Sequence, residues 1–213
     1  MKPRLKTELD FLAAVERGEV VTQATLSRRV GVAIGLINAL VKRAMMKGYV
    51  KARSAPYKRY AYYLTPKGFA EKSRLVAEYL EVSLEFFREA RRQYGELFVR
   101  ARAQGVRRCV LAGGGELAEI AILAAREAEV ELIAILDGET NRDRLHGLPV
   151  VRSLAEIDGW DALALTDQRR PQEIYAALLA ETAGRLPGER ILAPALLKIV
   201  SDDDFDLVEV AQA

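Results

Sequence analysis

The stretch TQATLSRRVGVAIGLINALVKRAMMKG, from Thr22 to Gly48, decides the fold of the first part of the chain. Thr22 is a residue type that caps helices, and residues 23–30 after it predict a short helix. Gly31 predicts a tight turn, and a second helix is predicted over residues 33–47 because its apolar residues recur at helical spacing. Two helices joined by a glycine turn are typical of a helix-turn-helix.

The flanking segments complete a winged version of this unit. Two β-rich runs, residues 49–53 and 59–64, predict a hairpin after the second helix. Upstream, Thr7 is expected to cap a first helix over residues 8–17. Downstream, a threonine-proline pair at residues 65–66 predicts a helix that runs to about residue 104. The sequence therefore predicts an α+β winged helix-turn-helix domain followed by a helical connector.

Charge is divided unevenly along the chain, although the formal net charge is only +2. Residues 1–70 contain 14 lysine or arginine residues and 4 acidic residues, so this region carries +10 and the rest carries −8. No carboxylate occurs between Glu19 and Glu71. A basic N-terminal region followed by an acidic remainder predicts that the first domain contacts nucleic acid. The alternative interpretation is a charged surface that is simply solvated.

A helix-turn-helix places the N-terminal face of its second helix in the DNA major groove. On that face only Asn38 has a side chain suited to a bidentate base contact, with adenine. The residues predicted to face the bases are Ile34, Gly35, Leu36, Asn38 and Ala39. The residues predicted to contact the DNA backbone or minor groove are Thr22, Thr25, Arg28, Arg29, Lys42, Arg43, and in the wing Arg53, Lys58 and Arg59.

The run VGVAIGLINALVKRAMMKGYVKAR, followed by RYAYYLTPKGFAEKSRL, resembles the MarR-like winged-helix regulators. It looks closest to the group associated with bacterial exopolysaccharide gene clusters, and the likeness covers residues from about 7 to 92. The resemblance implies dimeric, sequence-specific DNA binding and transcriptional control. The AIGL start of the second helix departs from the Ser-, Thr- and Arg-rich start usual in that family.

Apolar residues recur at heptad-like spacing along the predicted connector. Leu80, Phe87, Tyr94 and Ala101 follow one another every seven residues, and Val76 falls at a companion position. The pattern predicts either a dimer interface or a stripe packed on the protein's own domains. We take Val76, Leu80, Phe87 and Tyr94 as the dimerisation seam, because a small winged-helix regulator needs two heads.

Beyond residue 107 apolar runs typical of strands alternate with helical segments. The alternation predicts a parallel sheet in an α/β Rossmann-like domain. Cys109, the single cysteine, lies in the first strand and is predicted to be buried. Strands are predicted at 108–112, 131–136, 148–151, 162–165 and 191–193, and helices at 116–127 and from Pro171 to about residue 183, with Ser153 capping a helical turn.

The first strand runs into a glycine-rich turn, VLAGGGELA, from Val110 to Ala118. In a dinucleotide-binding turn one glycine permits the bend, a second lets a pyrophosphate approach the backbone, and a third small residue packs helix on strand. An acid at the end of the second strand then binds the ribose, and Asp137 follows Gly113 by 24 positions. The predicted ligand-binding residues are Gly113, Gly114, Gly115, Glu116, Ala118 and Asp137.

Residues 107–195 resemble the Rossmann-type domains of two families. One is the redox-sensing repressor Rex and the other is the nucleotide-sugar epimerases. The segments GGGELA, AILDGET and HGLPVVRSLAEI carry the likeness. It implies NAD(H) or a nucleotide sugar as ligand, and an acid at the ribose disfavours NADP. The other interpretation is a Rossmann-like domain that binds nothing.

Enzymatic and metal-dependent functions find little support in the sequence. His146, the single histidine, has no evident serine or cysteine partner, and Tyr175 is followed by Ala-Ala-Leu-Leu instead of the Tyr-x-x-x-Lys pair of short-chain dehydrogenases. The acidic run at 202–204 suits a solvated tail better than a metal site. The chain has no membrane-spanning apolar run and no secretion signal at its start. We therefore expect no enzyme, no catalytic residue, no metal and a cytoplasmic location.

Together these patterns predict a homodimeric transcription regulator. Its winged helix spans residues 1–70, a connector and dimerisation helix spans 71–105, and a Rossmann-like ligand-binding or assembly domain spans 106–213. The expected partners are double-stranded DNA and a nucleotide-type small molecule, with no membrane. Two alternatives stay open: a Rossmann-like domain that serves only dimerisation or protein docking, and a nucleotide-sugar or NAD-dependent enzyme that carries a DNA-binding domain.

Overall fold

A computed structural model describes residues 3–17, 20–55, 59–183 and 190–200 of the chain. The chain divides between Glu85 and Phe86 into two compact units, and the described residues of each form a separate hydrophobic core. The acidic run predicted as a solvated tail lies outside the described residues.

The first unit consists of helices around a small antiparallel sheet, in the strand order β1-β3-β2. Its core is formed by Phe11, Leu26, Ile37, Val41 and Val50 among others. The elements are α1 Pro3–Glu16, β1 Val20–Val21, α2 Gln23–Val30, α3 Ile34–Met46, β2 Val50–Ala55, β3 Arg59–Leu64 and the first part of α4 Pro66–Ala103.

Three of the residues predicted to begin or end helices in this unit do so, namely Thr22, Gly31 and Thr65. The Thr22 hydroxyl accepts from the N–H of Thr25 at 3.2 Å, and Gly31 ends α2 with a φ of +73°. The Thr65 hydroxyl accepts from the N–H of Gly68 at 3.0 Å and so caps α4. Helix α1 begins at Pro3, so the prediction that Thr7 caps it was wrong.

The second unit is built on a mixed six-stranded sheet in the order β6-β7-β5-β4-β8-β9. All neighbouring strands are parallel except β6 and β7, which are antiparallel. Outward from β4 this is the order of a doubly wound Rossmann-like sheet, which confirms the α/β prediction for this unit. The elements are β4 Arg108–Ala112, α5 Glu116–Glu127, β5 Glu131–Leu136, β6 Arg144–Leu145, β7 Leu148–Val151, β8 Ala162–Leu165, α6 Pro171–Thr182 and β9 Ile191–Leu192.

Helix α4 is shared between the units, the first containing it up to Glu85 and the second from Phe86. In the second unit Ala90, Tyr94, Phe98 and Ala101 are fully buried in the core. The Tyr94 hydroxyl donates to the carbonyl of Leu165 at 2.6 Å, and burial raises the pKa of Tyr94 above its usual value. Tyr94 is therefore a core residue of its own chain, and its place in the predicted dimer seam is corrected.

Cys109 is buried in β4, as predicted. Burial raises the pKa of its thiol well above the usual range, so the sulfur stays protonated and unreactive. Among the described residues no single helix is long and apolar enough to cross a membrane, and the bent pair α2 and α3, at 104°, meets that test by length and composition only.

Candidate functional site

The outer face of α3 is the first candidate surface. Ile37, Leu40, Val41 and Ala44 turn inward and are buried. Of the residues predicted to contact DNA, the exposed ones are Thr22, Arg28, Arg29, Ile34, Gly35, Leu36, Ala39, Lys42 and Arg53. Thr25, Asn38 and Arg43 are half-buried. The fold thus displays most of the predicted contact residues to solvent.

The side chain of Asn38 is not displayed to solvent as expected for a residue that contacts a base. Its Oδ1 atom is buried and has no hydrogen-bond partner in the described part of the chain. An unmade hydrogen bond at a buried acceptor costs roughly 1–3 kcal/mol. In this conformation the acceptor of Asn38 is turned into the domain and is not presented to a base edge.

Two neighbouring basic residues of α3 have different surroundings. The Nη1 atom of Arg43 lies 3.1 Å from Oε1 of Glu8 on α1, so its guanidinium is held within the unit. Lys42 is exposed and forms no ion pair with any described residue. Lys42 is the better placed of the two to reach a phosphate.

The wing carries a basic side that sequence reasoning identified only in part. Along β2, Lys51 and Arg53 are exposed, whereas Val50 is buried and Ala52 is half-buried. Strand alternation places Lys51 on the same face as Arg53, and this period of two was the signal that was missed. The predicted contact Lys58 lies outside the described residues, and so does the side chain of Arg59.

The second candidate site is a cleft at the carboxyl ends of the parallel strands. It has a volume of about 770 Å³ and is lined by the glycine-rich turn, the loop after β5, Arg152 after β7, the residues after β8, and α6. The strand order reverses between β4 and β8. In open α/β sheets ligands bind in the crevice at this switch point, and small-molecule sites typically measure about 300–1,000 Å³.

The glycine-rich turn has the geometry that its sequence predicted. Gly113 has a φ of +112°, and a Cβ there would lie 2.7 Å from the backbone nitrogen of Asp167. A Cβ at Gly115 would meet nothing within 4 Å, although this residue lines the cleft. Ala118 is fully buried against the core. The first position therefore requires glycine for the bend, the second leaves room beside the backbone, and the third packs α5.

Asp137 ties the glycine-rich turn to the loop after β5. Its Oδ2 accepts from the N–H of Gly114 at 3.0 Å. Its Oδ1 accepts from the N–H groups of Glu139 at 2.9 Å and Thr140 at 3.2 Å. The carboxylate lines the cleft where a ribose was expected, but it is also committed to the protein's own backbone.

Two further titratable side chains border the same turn. Glu116 opens α5, and its Oε2 lies 3.4 Å from Nε2 of Gln168. The Nε2 atom of His146 lies 3.4 Å from the carbonyl oxygen of Gly114, and Nδ1 lies 3.4 Å from Oε1 of Glu119. His146 therefore contacts the turn from the β6–β7 hairpin.

Sequence reasoning missed the arginines of the cleft. Arg170 pairs with Glu139, whereas the other three guanidinium groups have no ion-pair partner among the described residues. The detectable signal was position, since Arg152 directly follows β7 and two more arginines come soon after β8. Carboxylates also line the cleft, so the lining has mixed charge. The arginines are Arg142, Arg152, Arg169 and Arg170, and the acids are Glu116, Asp137, Glu139, Asp167 and Glu181.

No protein-family model and no curated protein matches the sequence. Two solved transcription regulators are similar to its N-terminal part. MepR of Staphylococcus aureus, a regulator of the multidrug efflux pump MepA, is 12% identical over 38% of this chain and 61% of its own, with a TM-score of 0.33. PcaV of Streptomyces coelicolor, solved with its natural ligand, is 23% identical over 40% and 60%, with a TM-score of 0.34. The chain thus spans about three fifths of the length of these regulators.

An enzyme aligns with most of the chain. Human N-acetylserotonin methyltransferase, solved with SAM, is 14% identical over 86% of this chain and 71% of its own, with a TM-score of 0.34. This alignment contradicts the prediction that the chain is not an enzyme, and that prediction is withdrawn. At such low identity and TM-score the alignment does not assign methyl transfer to this chain.

Proposed function

We propose that the chain is a transcription regulator that binds double-stranded DNA through the N-terminal end of α3. The observation that carries the proposal is the exposed start of this helix within a region of 14 basic and 4 acidic residues. Within this region the side chains of Lys42 on α3 and Arg53 on the wing are exposed. Neither forms an ion pair with a carboxylate of the described residues. DNA phosphates supply the complementary charge.

Salt dependence tests this proposal. Fluorescence anisotropy with a labelled random-sequence duplex should give a negative slope of log affinity against log salt, of about −0.9 for each phosphate neutralised. Lys42→Ala should reduce the size of that slope by about one such increment. The matched control is Arg43→Ala on the same helix, which should leave the slope unchanged because Glu8 already holds this guanidinium. The proposal fails if the wild-type chain does not bind duplex DNA or if its affinity ignores salt.

We also propose that the chain acts as a homodimer through the exposed apolar side of α4. Leu80 is 53% exposed and Leu84 is 51% exposed. Val76 and Phe87, the other predicted seam residues, are half-buried. Exposed large apolar residues at helical spacing are typical of an interface, and a two-fold dimer would bind an inverted repeat.

Sedimentation of the double variant Leu80→Asp, Leu84→Asp tests the dimer. It should sediment as a monomer, because two charges would have to be buried in the interface. Val99→Asp alters a residue of the same helix that is 59% exposed and should leave the dimer intact. A double variant that remains dimeric would place the interface elsewhere.

We further propose that the cleft binds a nucleotide-type ligand. The support is the combination of a glycine-only bend at Gly113, open space beside Gly115 and the small buried Ala118. In the first turn of α5 the N–H of Ala118 donates to the carbonyl of Gly115 at 3.0 Å. The two N–H groups before it lie at the helix N-terminus, where backbone N–H groups can bind phosphate oxygens. The candidates are NAD(H), a nucleotide sugar and SAM. When bound, such a ligand would shift DNA affinity only if it favours one arrangement of the DNA-binding heads.

Calorimetry with NAD, NADH, several nucleotide sugars and SAM tests the ligand proposal. Gly115→Val should abolish the binding seen with the wild-type chain, since its side chain would fill the open space beside the backbone. Anisotropy with and without the bound compound then measures any change in DNA affinity. If none of these compounds binds at about 1 mM, the domain is better described as a docking or dimerisation platform.

A further inference from the structure

The start of α3 is unusual for a solvent-facing helix because its outward side chains are almost all apolar. Ile34 is 49% exposed and Leu36 is 47% exposed. Gly35 and Ala39 are exposed between and beyond them and add no polar side-chain atom. The outward face of an amphipathic helix normally carries polar or charged residues. The acceptor atom of Asn38, the polar residue of this stretch, is buried.

Apart from the amide nitrogen of the half-buried Asn38, the side chains of this stretch offer no group that hydrogen-bonds to base edges. In the major groove most base-edge groups are hydrogen-bond donors or acceptors, and the apolar one is the 5-methyl group of thymine. From this complementarity we infer that Ile34 and Leu36 determine sequence specificity by packing on thymine methyl groups. The inference rests on the proposed DNA binding and specifies what the helix recognises.

Two local features favour DNA as the occupant of this surface. No carboxylate occurs between Glu19 and Glu71, and Arg28 and Lys42 are exposed on α2 and α3. An apolar surface in such a basic region matches a polyanion that also presents methyl groups. In addition, a Cβ at Gly35 would meet nothing within 4 Å. The absence of bulk at Gly35 and Ala39 lets the helix approach the base edges closely, which methyl contacts require.

The test begins by selecting tightly bound duplexes from a randomised pool with the full-length chain. Each thymine of the selected duplex is then replaced by deoxyuridine, which removes only the 5-methyl group. Affinity should fall about fourfold for each methyl group that is contacted, from the transfer free energy of one such group. For Ile34→Ala and Leu36→Ala, affinity for the thymine duplex should be lower and at least one thymine should lose its sensitivity to replacement.

A matched variant separates this contact from general apolar surface. Met46 lies at the other end of α3 and is 82% exposed, so Met46→Ala should keep the wild-type ratio of thymine to uracil affinities. Thermal unfolding of all three variants confirms that each is folded. If the selected duplex keeps its full affinity after every thymine is replaced, the inference is overturned while DNA binding stands. If no duplex is enriched and no DNA is bound, the proposed function fails as well.

Discussion

An added methyl group should have different effects on the free energy of unfolding at two glycines of the same turn. Gly113→Ala should destabilise the second unit, whereas Gly115→Ala should leave its stability unchanged or slightly higher. Both substitutions add one carbon atom, and the two residues are separated only by Gly114. The difference arises entirely from the backbone conformation and the space around each Cβ.

The structure sets the size of each effect. At Gly113 the φ of +112° is unfavourable for alanine, and the new Cβ would lie 2.7 Å from the backbone nitrogen of Asp167. Backbone strain and overpacking together cost about 2–4 kcal/mol after allowing for the reduced entropy of the unfolded chain. Gly115 has a φ of −81° and a ψ of −166°, which alanine adopts readily, and its Cβ would meet nothing within 4 Å. Only the entropy effect then remains, a gain of roughly 0.4–1 kcal/mol.

Trp160 provides a specific probe for this measurement. It is the single tryptophan and packs against the core of the second unit, so its fluorescence reports on this unit alone. Urea unfolding should move the midpoint of Gly113→Ala to lower concentration at an unchanged slope. Equal destabilisation by both substitutions would refute the geometry described for the turn. The same urea titration of Gly115→Val checks that its loss of ligand binding does not arise from unfolding.

Three further predictions concern individual side chains. Tyr94→Phe leaves the carbonyl of Leu165 without its 2.6 Å donor and should cost about 1–3 kcal/mol of unfolding free energy in the same fluorescence assay, whereas no change would mean that the bond contributes nothing. Asp161 accepts from the backbone N–H groups of Arg108 and Arg107, which lower the pKa of its carboxyl. Its contribution to stability should therefore be present above the unfolded-state pKa of about 3.9 and be lost as pH falls through the lower folded-state value, and Asp161→Asn should remove that part of an acid titration of unfolding. Asn38→Ala removes a buried acceptor without a partner among the described residues, so thermal unfolding by circular dichroism should show equal or higher stability, and a clear loss would show that this amide is satisfied.

Local signals explain why much of the fold could be predicted from the sequence. The Thr22 cap and the Gly31 turn set the bounds of α2, and helix-period apolar residues set those of α3. Apolar runs between helices identified the strands of the Rossmann-like sheet. The two-residue strands β1 and β6 were missed because no period can be recognised over two residues. In addition, β1 is defined only by its pairing with the distant strand β3, whereas β6 pairs with the adjacent β7.

Site residues could be predicted where the backbone conformation requires a particular residue type. They could not be predicted where the direction of a side chain depends on contacts with residues distant in the sequence. Gly113 follows from the tight bend of its turn. The direction of Arg43 depends on Glu8, which is 35 residues away, and that of Asn38 depends on packing. The heptad pattern had two interpretations, and the assignment of Tyr94 to the dimer seam was wrong because this side chain is buried in the core of the second unit. The spacing of apolar residues along a helix does not show whether they are buried in the chain's own core or in an interface.

The boundary between the two units falls inside α4 and not in a loop. Boundaries between protein domains usually fall in exposed, flexible linkers that few contacts cross. Here a fragment that ends at residue 70 lacks the buried Leu75, and one that begins at residue 106 lacks Ala90, Tyr94 and Phe98. Each unit thus contains a different part of the same helix, and residues of that part are buried in its core. A recombinant protein that contains only one unit must also include that unit's part of α4. The two units are therefore harder to separate than the change in sequence pattern between them suggests.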